Sequence, residues 1–392
     1  MFKSKIIYIP FLSIIFLLIA CSEDSEENDT VSPTLSCPEA MNVSVDTFSN
    51  GAVVTFTSPV GTDNIAGSVT TQTGGLASGK VFPIGTTTNT FTTRDAAGNT
   101  STCSFNVIVT RKAPSEDLPY FVIENPTPVG KKWAKIENLS DEFNQTDGID
   151  RTKWYTKPDI ASAGWFWTGR PPGLFIEESI TVADGKLKIE ANKLPATKII
   201  NGKSYDYSGG IVRSINQCKV GYYYESKMKA NKTFMSSTFW MMTEENACPK
   251  RLELDIQECV GELTPGADAW AVSGKFDQIF HSNAFHRTSC ANTVETRKQG
   301  SVITDVKNWS EYMVYGFWWK SETELWFYLN GKLAYKITNP TTTFDLPMYY
   351  NLAVETYDWN PPHADGKGME KFTKEERSTQ YEWIRTWKLD DK

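Results

Sequence analysis

The sequence predicts an all-β protein that contains a small β-sandwich followed by a much larger sandwich or barrel. Short runs of alternating apolar and polar residues recur along the chain, and this period of two is typical of strands. Long amphipathic helical patterns are absent from the sequence. The chain has 392 residues, 40% of them hydrophobic, which is enough to bury more than one core. These observations favour two β domains over a βαβ fold.

The first residues indicate export. Lys3 and Lys5 precede a mostly apolar stretch that reaches Cys21 after a small residue, a secretory pattern too short for a membrane span. LIAC resembles a bacterial lipoprotein signal, and the acidic run SEDSEEND resembles the export signal of surface lipoproteins in Bacteroidetes. We therefore expect a signal peptide over 1–20, a tether over 21–32, and a cell-surface protein held at the outer membrane by a lipid on Cys21 alone. An ordinary signal that ends at Cys21 by chance is the alternative.

Net charge and cysteine content limit the partners, disulfides and metal sites that this protein can have. The net charge is -7 with a pI near 5.3, and no run of Lys or Arg forms a basic patch, which argues against nucleic acid as a partner. Without Cys21, six of the seven cysteines remain, an even number that predicts disulfides in an exported protein. Cys37 and Cys103 flank a segment of their own, whereas the other four allow three connectivities. Those four are Cys218, Cys248, Cys259 and Cys290. Their spacing is too wide for a zinc site.

Residues 33–111 form a distinct unit that is predicted to be a small Ig-like sandwich. Runs such as AVVTFTSP and CSFNVIVT alternate between Gly-rich turns, as in short antiparallel strands. CPEAMNVSV, FPIGTTTNTFTTRDAAGNTSTCSFNVIVT and the two outer cysteines resemble a hyalin-repeat (HYR) module, which implies an extracellular spacer or adhesion unit and a disulfide between Cys37 and Cys103. Residues 112–132 contain four prolines and are predicted to be a linker of limited flexibility.

Residues 133–392 are again predicted to consist of successive strands. GKLKIEAN, GGIVRSI, STFWMMTE, MVYGFWWK and YYNLAVET alternate or are apolar throughout. Asn330-Gly331 separates two such runs and is a strong hairpin signal. One large β-sandwich or barrel is the simplest interpretation.

One predicted strand, RLELDIQECVG, concentrates negative charge. Glu253 and Asp255 share a face of a regular strand, while Glu258 points the opposite way because side chains alternate. One extra residue in a β-bulge between Asp255 and Glu258 turns all three carboxylates to the same side. The two glutamates are then about 13 Å apart along the strand, and side chains leaning together can reach the roughly 5 to 5.5 Å that a retaining glycosidase needs.

Carboxylates gathered on one face repel and desolvate one another. This raises the pKa of at least one of them, which suits the division between a proton donor and a nucleophile. A solvated polar strand face and a calcium site are the alternatives. Calcium usually binds loop carboxylates together with carbonyl oxygens, whereas these acids are interleaved with Leu254 and Ile256.

The segment from Glu253 to Glu258 resembles the E-x-D-x-x-E signature of glycoside hydrolase family 16 in its bulged form. LSDEFNQTDGIDRTKW, YSGGIVRS, GYYYESKMKA, STFWMM and YEWIRTWKL are similar to other strands of that family. The resemblance implies a concanavalin A-like β-jelly roll with a concave cleft, and retaining hydrolysis of β-1,4 or β-1,3 bonds in polysaccharides. It makes Glu253 the nucleophile, Glu258 the general acid/base and Asp255 the residue that tunes the pair. It implies no cofactor for catalysis, but a structural calcium ion on the convex side, whose ligands the sequence does not identify.

Further stretches resemble the agarases and porphyranases of this family. These are AGWFWTGRPPGLF, NLAVETYDWNPP and HSNAFHRT. Trp faces stack on sugar rings, and Arg and Glu orient hydroxyl or sulfate groups by charge-assisted hydrogen bonds. The expected substrate-binding residues are Trp165, Trp167, Arg170, Trp240, His286, Arg287, Glu355 and Trp359. Core packing for each Trp, a surface ion pair for Arg170, and internal hydrogen bonding for His281 or His286 are the alternatives.

The leading hypothesis is an endo-hydrolase that cuts β-1,4 galactosidic bonds in a red-algal galactan, such as agarose, porphyran or a related sulfated galactan. A laminarinase of the same fold and a noncatalytic glycan-binding lipoprotein are the alternatives. A Ser-His-Asp hydrolase is poorly supported, since the chain has three histidines and no G-x-S-x-G elbow. The stretches ECVGELTPGADAWAVSGKF and PPHADGKGMEKFTKEERST have no assigned role in specificity.

Overall fold

The computed structural model describes residues 29–45, 49–112, 115–122, 124–157, 167–244, 250–288 and 293–392. The predicted signal peptide, Cys21 and Trp165 lie outside these residues. The chain divides into two compact units. The N-terminal unit comprises residues 1–43 and 51–110, and the C-terminal unit comprises residues 44–50 and 111–392. Among the described residues, no helix is long and apolar enough to cross a membrane.

The N-terminal unit contains a four-stranded sheet and a two-stranded sheet. Its strands are β1 (Met41–Val45), β2 (Gly51–Val53), β3 (Val69–Gly74), β4 (Val81–Pro83), β5 (Gly85–Arg94) and β6 (Thr100–Arg111). Spatial order in the larger sheet is β1-β6-β5-β3, and β2 pairs with β4. Phe82, Phe91 and Phe105 are almost fully buried between them. Cys37 and Cys103, the pair expected from the HYR resemblance, form a disulfide.

The C-terminal unit is a sandwich of two large sheets, which confirms the predicted all-β fold. We call the eight-stranded sheet the outer sheet. In spatial order its strands are β10 (Ile180–Ala183), β11 (Lys186–Glu190), β23 (Ser378–Asp391), β14 (Tyr223–Lys229), β19 (Met313–Ser321), β20 (Glu324–Leu329) and β21 (Lys332–Thr338), and β7 (Lys131–Lys135) pairs with β23. The hairpin predicted at Asn330-Gly331 joins β20 and β21. Both residues have positive φ angles, 48° and 73°, as a type I′ turn requires.

The nine-stranded sheet carries the cleft described below, and we call it the cleft sheet. In spatial order its strands are β12 (Asn192–Ile200), β13 (Lys203–Ser214), β22 (Tyr349–Val354), β15 (Ser236–Met242), β16 (Lys250–Val260), β17 (Ile279–Thr288) and β18 (Thr293–Ile303), while β8 (Trp154–Tyr155) and β9 (Gly173–Phe175) pair with β13. One short helix, α1 (Ala269–Ser273), lies in the loop between β16 and β17.

The main core fills the space between the two sheets. Leu252, Leu254 and Ile256 of β16 contribute from the cleft sheet, and Phe317 and Phe327 contribute from the outer sheet. All five side chains are completely buried, and burial of each such residue contributes about 1.5–3 kcal/mol. Alternate residues of β16 are therefore anchored in the core, which holds the intervening carboxylates on the opposite face.

Residues 115–122, within the segment expected to be a linker, pack on the outer sheet. Phe121 is 2% exposed and its ring lies 4.9 Å from that of Tyr223 and 5.4 Å from that of Tyr328. The backbone N–H of Tyr120 donates to the Glu225 carboxylate at 3.0 Å, so this stretch supplies the buried Glu225 side chain with a hydrogen bond. These residues are part of the C-terminal unit.

Two cysteines expected in disulfides are free thiols. Cys218 and Cys259 are unpaired and completely buried. Cys218 belongs to the main core, whereas Cys259 belongs to a separate cluster with Val260 and Phe276. Each acts as a small apolar side chain, so the expectation of disulfides is wrong for this pair. Cys248 and Cys290 lie outside the described residues.

Candidate active site

A cleft of about 400 Å³ lies on the cleft sheet. Its walls come from β13, β15, β16 and β17, from residues 167–171 and from the segment that follows β22. The lining residues are Trp167, Gly169, Arg170, Pro171, Lys203, Thr238, Trp240, Met242, Arg251, Glu253, Asp255, Gln257, Glu258, Arg287, Glu355 and Tyr357. The three carboxylates that the sequence singled out therefore share one cavity.

A β-bulge in β16 brings these carboxylates together. Phe239 of β15 pairs with Gln257, but the next residue, Trp240, pairs with Asp255, so Ile256 is one extra residue in the ladder. Ile256 packs in the main core, and Gln257 donates to the carbonyl oxygen of Ile279 at 3.0 Å. The extra residue restores the parity of the strand and returns the next side chain, Glu258, to the cleft. The predicted bulge is confirmed.

Exposure distinguishes the three carboxylates. The side chains of Glu253 and Glu258 keep 14% and 20% of their surface exposed, whereas Asp255 is 6% exposed. The two glutamates can therefore touch a molecule in the cleft, and the aspartate lies beneath them as their neighbour.

Asn283 connects two of the carboxylates. This residue of β17 is 2% exposed, and its Nδ2 donates to Asp255 Oδ2 and to Glu258 Oε2, both at 2.9 Å. The two N–H bonds of one amide diverge, so each oxygen occupies its own position around the same nitrogen. A single buried side chain thus sets the separation of Asp255 and Glu258.

Glu253 is oriented by an arginine. Arg287 lies four residues after Asn283 on β17. It donates hydrogen bonds from Nε and Nη2 to Glu253 Oε2, at 3.1 and 2.8 Å. Charge-assisted bonds of this kind are short and strong. The ion pair therefore fixes the position of the Glu253 carboxylate in the cleft.

Several donors surround Glu258. Nδ1 of His281 lies 3.4 Å from Glu258 Oε2, and the Tyr357 hydroxyl donates to the same carboxylate. Burial raises the pKa of Glu258, but the hydrogen bond and charge of His281, the Tyr357 hydroxyl and the charge of Arg170 together leave this pKa below its usual range. The ionised form is therefore favoured in the empty cleft.

The pKa of Asp255 is shifted in the opposite direction from that of Glu258. Burial, followed by the negative charges of Glu253 and Glu258, raises its pKa well above the usual range, and the amide of Asn283 only partly offsets this. Two close carboxylates do not both ionise readily. A proton on Asp255 therefore removes the repulsion between its own charge and the charges of the two glutamates.

A second ion pair, between Arg170 and Glu355, also lines the cleft. Arg170 Nε donates to Glu355 Oε2 at 3.1 Å, and its guanidinium lies 5.3 Å from the centre of the Tyr357 ring. Burial raises the pKa of Glu355 to about 7 despite Arg170, with Glu258 and Glu253 adding to the effect. The arginine therefore links Glu355 to the tyrosine that contacts Glu258.

Aromatic side chains complete the cleft. The ring of Trp167 meets that of Trp240 at 6.0 Å and 82°, and that of Phe175 at 4.9 Å and 89°. Trp240 is 8% exposed and pairs with Asp255 across β15 and β16. These edge-to-face contacts fix both indoles and leave apolar surface facing the carboxylates.

The structure brings most of the expected binding residues to this site. Trp167, Arg170, Trp240, Arg287 and Glu355 line the cleft. Trp359 and His286 are not among the residues that line it.

Trp359 packs behind Tyr357 with a ring separation of 4.7 Å, whereas His286 is not brought to the cleft. His286 pairs with Leu252 and follows Phe285 and Ala284 on β17, so it shares the face of Ala284, which is buried in the core. Register, not proximity to Arg287 in the sequence, decides this, because neighbouring residues in a strand face opposite sides.

Sequence reasoning missed Asn283 and Tyr357 and assigned His281 only an internal role. The signal for two of them was present: His281, Asn283 and Arg287 fall at even spacing in HSNAFHR, as residues on one face of a strand do. Tyr357 stands two residues after Glu355 in NLAVETYDWNPP, at the spacing of two residues on one face of an extended segment.

The group of acidic side chains closest to a metal-binding arrangement lies in the N-terminal unit. Among the described residues, Asp29, Asp63 and Asp95 place carboxylate oxygens within 4.8 Å of one another. No comparable group of acidic, histidine or cysteine side chains occurs in the described part of the C-terminal unit. The calcium ion implied by the family resemblance stays a prediction without assigned ligands.

A β-sandwich with two glutamates on one bulged strand, and a buried aspartate between them, defines a glycoside hydrolase. The chain belongs to glycoside hydrolase family 16, since the model of the Beta-porphyranase A-D, GH16 domain matches residues 133–389. The HYR domain model matches residues 28–109.

Similar proteins agree with this assignment. The chain is 42% identical over 296 residues to Beta-porphyranase B of Zobellia galactanivorans, an alignment that covers 74% of this chain and 96% of the relative. It is 33% identical over 290 residues to Beta-porphyranase B of Phocaeicola plebeius, covering 67% and 86% respectively. The crystal structure of porphyranase B from Zobellia galactanivorans superposes with a TM-score of 0.62 and 42% identity, covering 70% of this chain and 99% of that one.

Proposed function

We propose that this protein is a retaining endo-hydrolase of red-algal galactans that cleaves β-1,4 galactosidic bonds, with porphyran as the first substrate to test. The observation that carries the proposal is the bulge at Ile256, which places Glu253 and Glu258 on the same face of one strand. The identity to β-porphyranases supports the choice of substrate.

The first half of the reaction forms a bond to Glu253. The carboxylate attacks the anomeric carbon, and the bond to the leaving oxygen breaks as that oxygen takes a proton from Glu258. Arg287 fixes one oxygen of the Glu253 carboxylate through two charge-assisted hydrogen bonds. A sugar in the cleft covers the exposed part of Glu258, and loss of that water favours the protonated form that this step requires.

The second half uses the same two side chains. Glu258, now ionised, removes a proton from water, and the resulting hydroxide attacks the anomeric carbon and releases Glu253, so the configuration is retained after two displacements. The contacts of Glu258 with His281 and Tyr357 favour the ionised form. Asp255, whose raised pKa favours its neutral form, limits repulsion when both glutamates are charged.

The experiment is a substrate panel with matched variants. We expect the wild-type protein to release new reducing ends from porphyran or another galactan in a panel that also contains agarose, furcellaran, κ-carrageenan and laminarin, with the β configuration in the first product. Glu253→Gln and Glu258→Gln should keep the fold and lose activity by roughly three orders of magnitude or more. Glu262→Gln is the control, because Glu262 bonds Lys371 at 3.0 Å and does not line the cleft.

Several results would count against the proposal. Near-normal turnover in either variant would contradict the catalytic role assigned to the glutamate that it replaces. Release of ends from laminarin alone would favour a β-1,3-glucanase of the same fold. Binding without any cleavage, in a folded wild-type protein, would favour a noncatalytic glycan-binding protein.

A further inference from the structure

The loop after β16 carries a tryptophan that the proposed reaction does not use. Trp270, on α1, is 51% exposed. Among the tryptophans that the structure describes, it is the only one in the exposed class. An exposed indole offers a broad apolar face that a ligand can cover.

Trp270 ends a row of aromatic rings that begins at the acid/base carboxylate. The Tyr357 hydroxyl bonds Glu258, Tyr357 stacks on Trp359 with ring centres 4.7 Å apart at 22°, and Trp359 meets Trp270 at 5.1 Å. Exposure rises outward, from 5% at Tyr357 to 51% at Trp270. The row therefore leads from the cleft wall beside Glu258 to the protein surface.

Neighbouring groups hold the exposed indole in place. Trp270 Nε1 donates to Asp268 Oδ2 at 2.9 Å, and the Asp268 N–H donates to the carbonyl oxygen of Trp359 at 2.8 Å. The Phe276 ring meets Trp270 at 5.2 Å and 88°. Because its orientation is fixed in advance, the ring loses little conformational freedom when a ligand binds.

We propose that Trp270, together with Trp359, forms an outer subsite for the galactan chain on the leaving-group side of the cleft. Glu258 protonates the leaving oxygen, so the sugars that leave lie nearest to the wall that carries Glu258, Tyr357 and the aromatic row. The apolar face of a galactose ring matches an indole face, which offers apolar area without needing a specific charge. This inference rests on the proposed function and gives a role to the loop over 261–276.

The subsite predicts an effect that depends on chain length. Trp270→Ala should raise KM for the polysaccharide roughly three- to tenfold, which is the size of effect expected when one aromatic contact is lost. The value of kcat should change less than about twofold, as expected for loss of binding without loss of transition-state contacts. The shortest oligosaccharide that the wild-type protein cleaves should be cleaved equally well, because it does not reach Trp270. Trp270→Phe should restore part of the polysaccharide affinity.

Val272 provides the matched control. It lies on the same helix and is 50% exposed, but it has no ring, so Val272→Ala should leave KM for every chain length unchanged. Thermal unfolding of all three variants checks that the loop stays folded. Equal KM values for Trp270→Ala and wild type on the polysaccharide would overturn the subsite, and so would an equal loss on short and long chains. Failure of the wild-type protein to cleave any galactan would overturn the proposed function instead, which separates the two results.

Discussion

Replacing Asn283 by alanine tests whether its side-chain amide favours the ionised form of Glu258. The change removes the Nδ2 group that lies 2.9 Å from both Asp255 Oδ2 and Glu258 Oε2. Asn283 is 2% exposed, and truncation of its side chain leaves the backbone pairing of β16 with β17 in place.

The magnitude follows from the lost hydrogen bond. A hydrogen bond to a charged group contributes about 1.5–3 kcal/mol, and about 1.4 kcal/mol corresponds to one pKa unit. Glu258 keeps 20% of its side chain exposed, so water replaces part of the lost bond and the expected rise in its pKa is about one unit. Looser positioning of the carboxylate should also lower kcat by roughly ten- to a hundredfold.

The assay is the pH dependence of kcat/KM with a soluble oligosaccharide. The first step needs Glu258 protonated, so activity falls on the alkaline side as this group ionises in the free enzyme. Because Asn283 stabilises the ionised form, its removal should move the alkaline limb to higher pH by about one unit. Asn351→Ala is the control: Asn351 is also 2% exposed, but its Nδ2 donates to the Tyr349 carbonyl at 3.3 Å. An alkaline limb that stays in place in Asn283→Ala would refute the proposed influence of this amide on Glu258.

Two further predictions concern stability and location. Burial raises the pKa of Glu225 from 4.5 to about 8, so the wild-type protein should lose stability as pH rises between these values, and Glu225→Gln should unfold at a similar temperature at pH 4.5 but roughly 5 °C higher at pH 9. Parallel thermal unfolding curves for the two proteins across this range would contradict the assignment. We also propose that the protein is exported and lipid-anchored through Cys21, on the sequence of its first residues. Cys21→Ala should shift it from the detergent phase to the aqueous phase in a phase-partition assay, and unchanged partition would exclude lipidation of this residue.

Local pattern accounted for the strands and for the central geometry of the site. The alternation in RLELDIQECV requires an irregularity if the three carboxylates are to share a face, and the irregularity lies at Ile256. The Asn330-Gly331 turn was equally predictable from the sequence, because these two residue types favour the positive φ angles that the turn requires. These features depend on a few consecutive residues, so no distant contact is needed to infer them.

Register and packing decided the rest. Asn283 reaches Asp255 because these residues pair across β16 and β17, 28 residues apart in the chain, and a shift of one residue would place His286 in the cleft instead of Arg287. Tyr357 reaches Glu258 from a loop beyond β22, and Cys259 remains a thiol because its strand directs it into an apolar cluster. Side-chain periodicity is a property of the local backbone and is written in the sequence, whereas the pairing of distant strands is set by how the whole core packs. The sequence alone therefore determined the carboxylates and the bulge that gathers them, and only the tertiary structure decided which donors surround them.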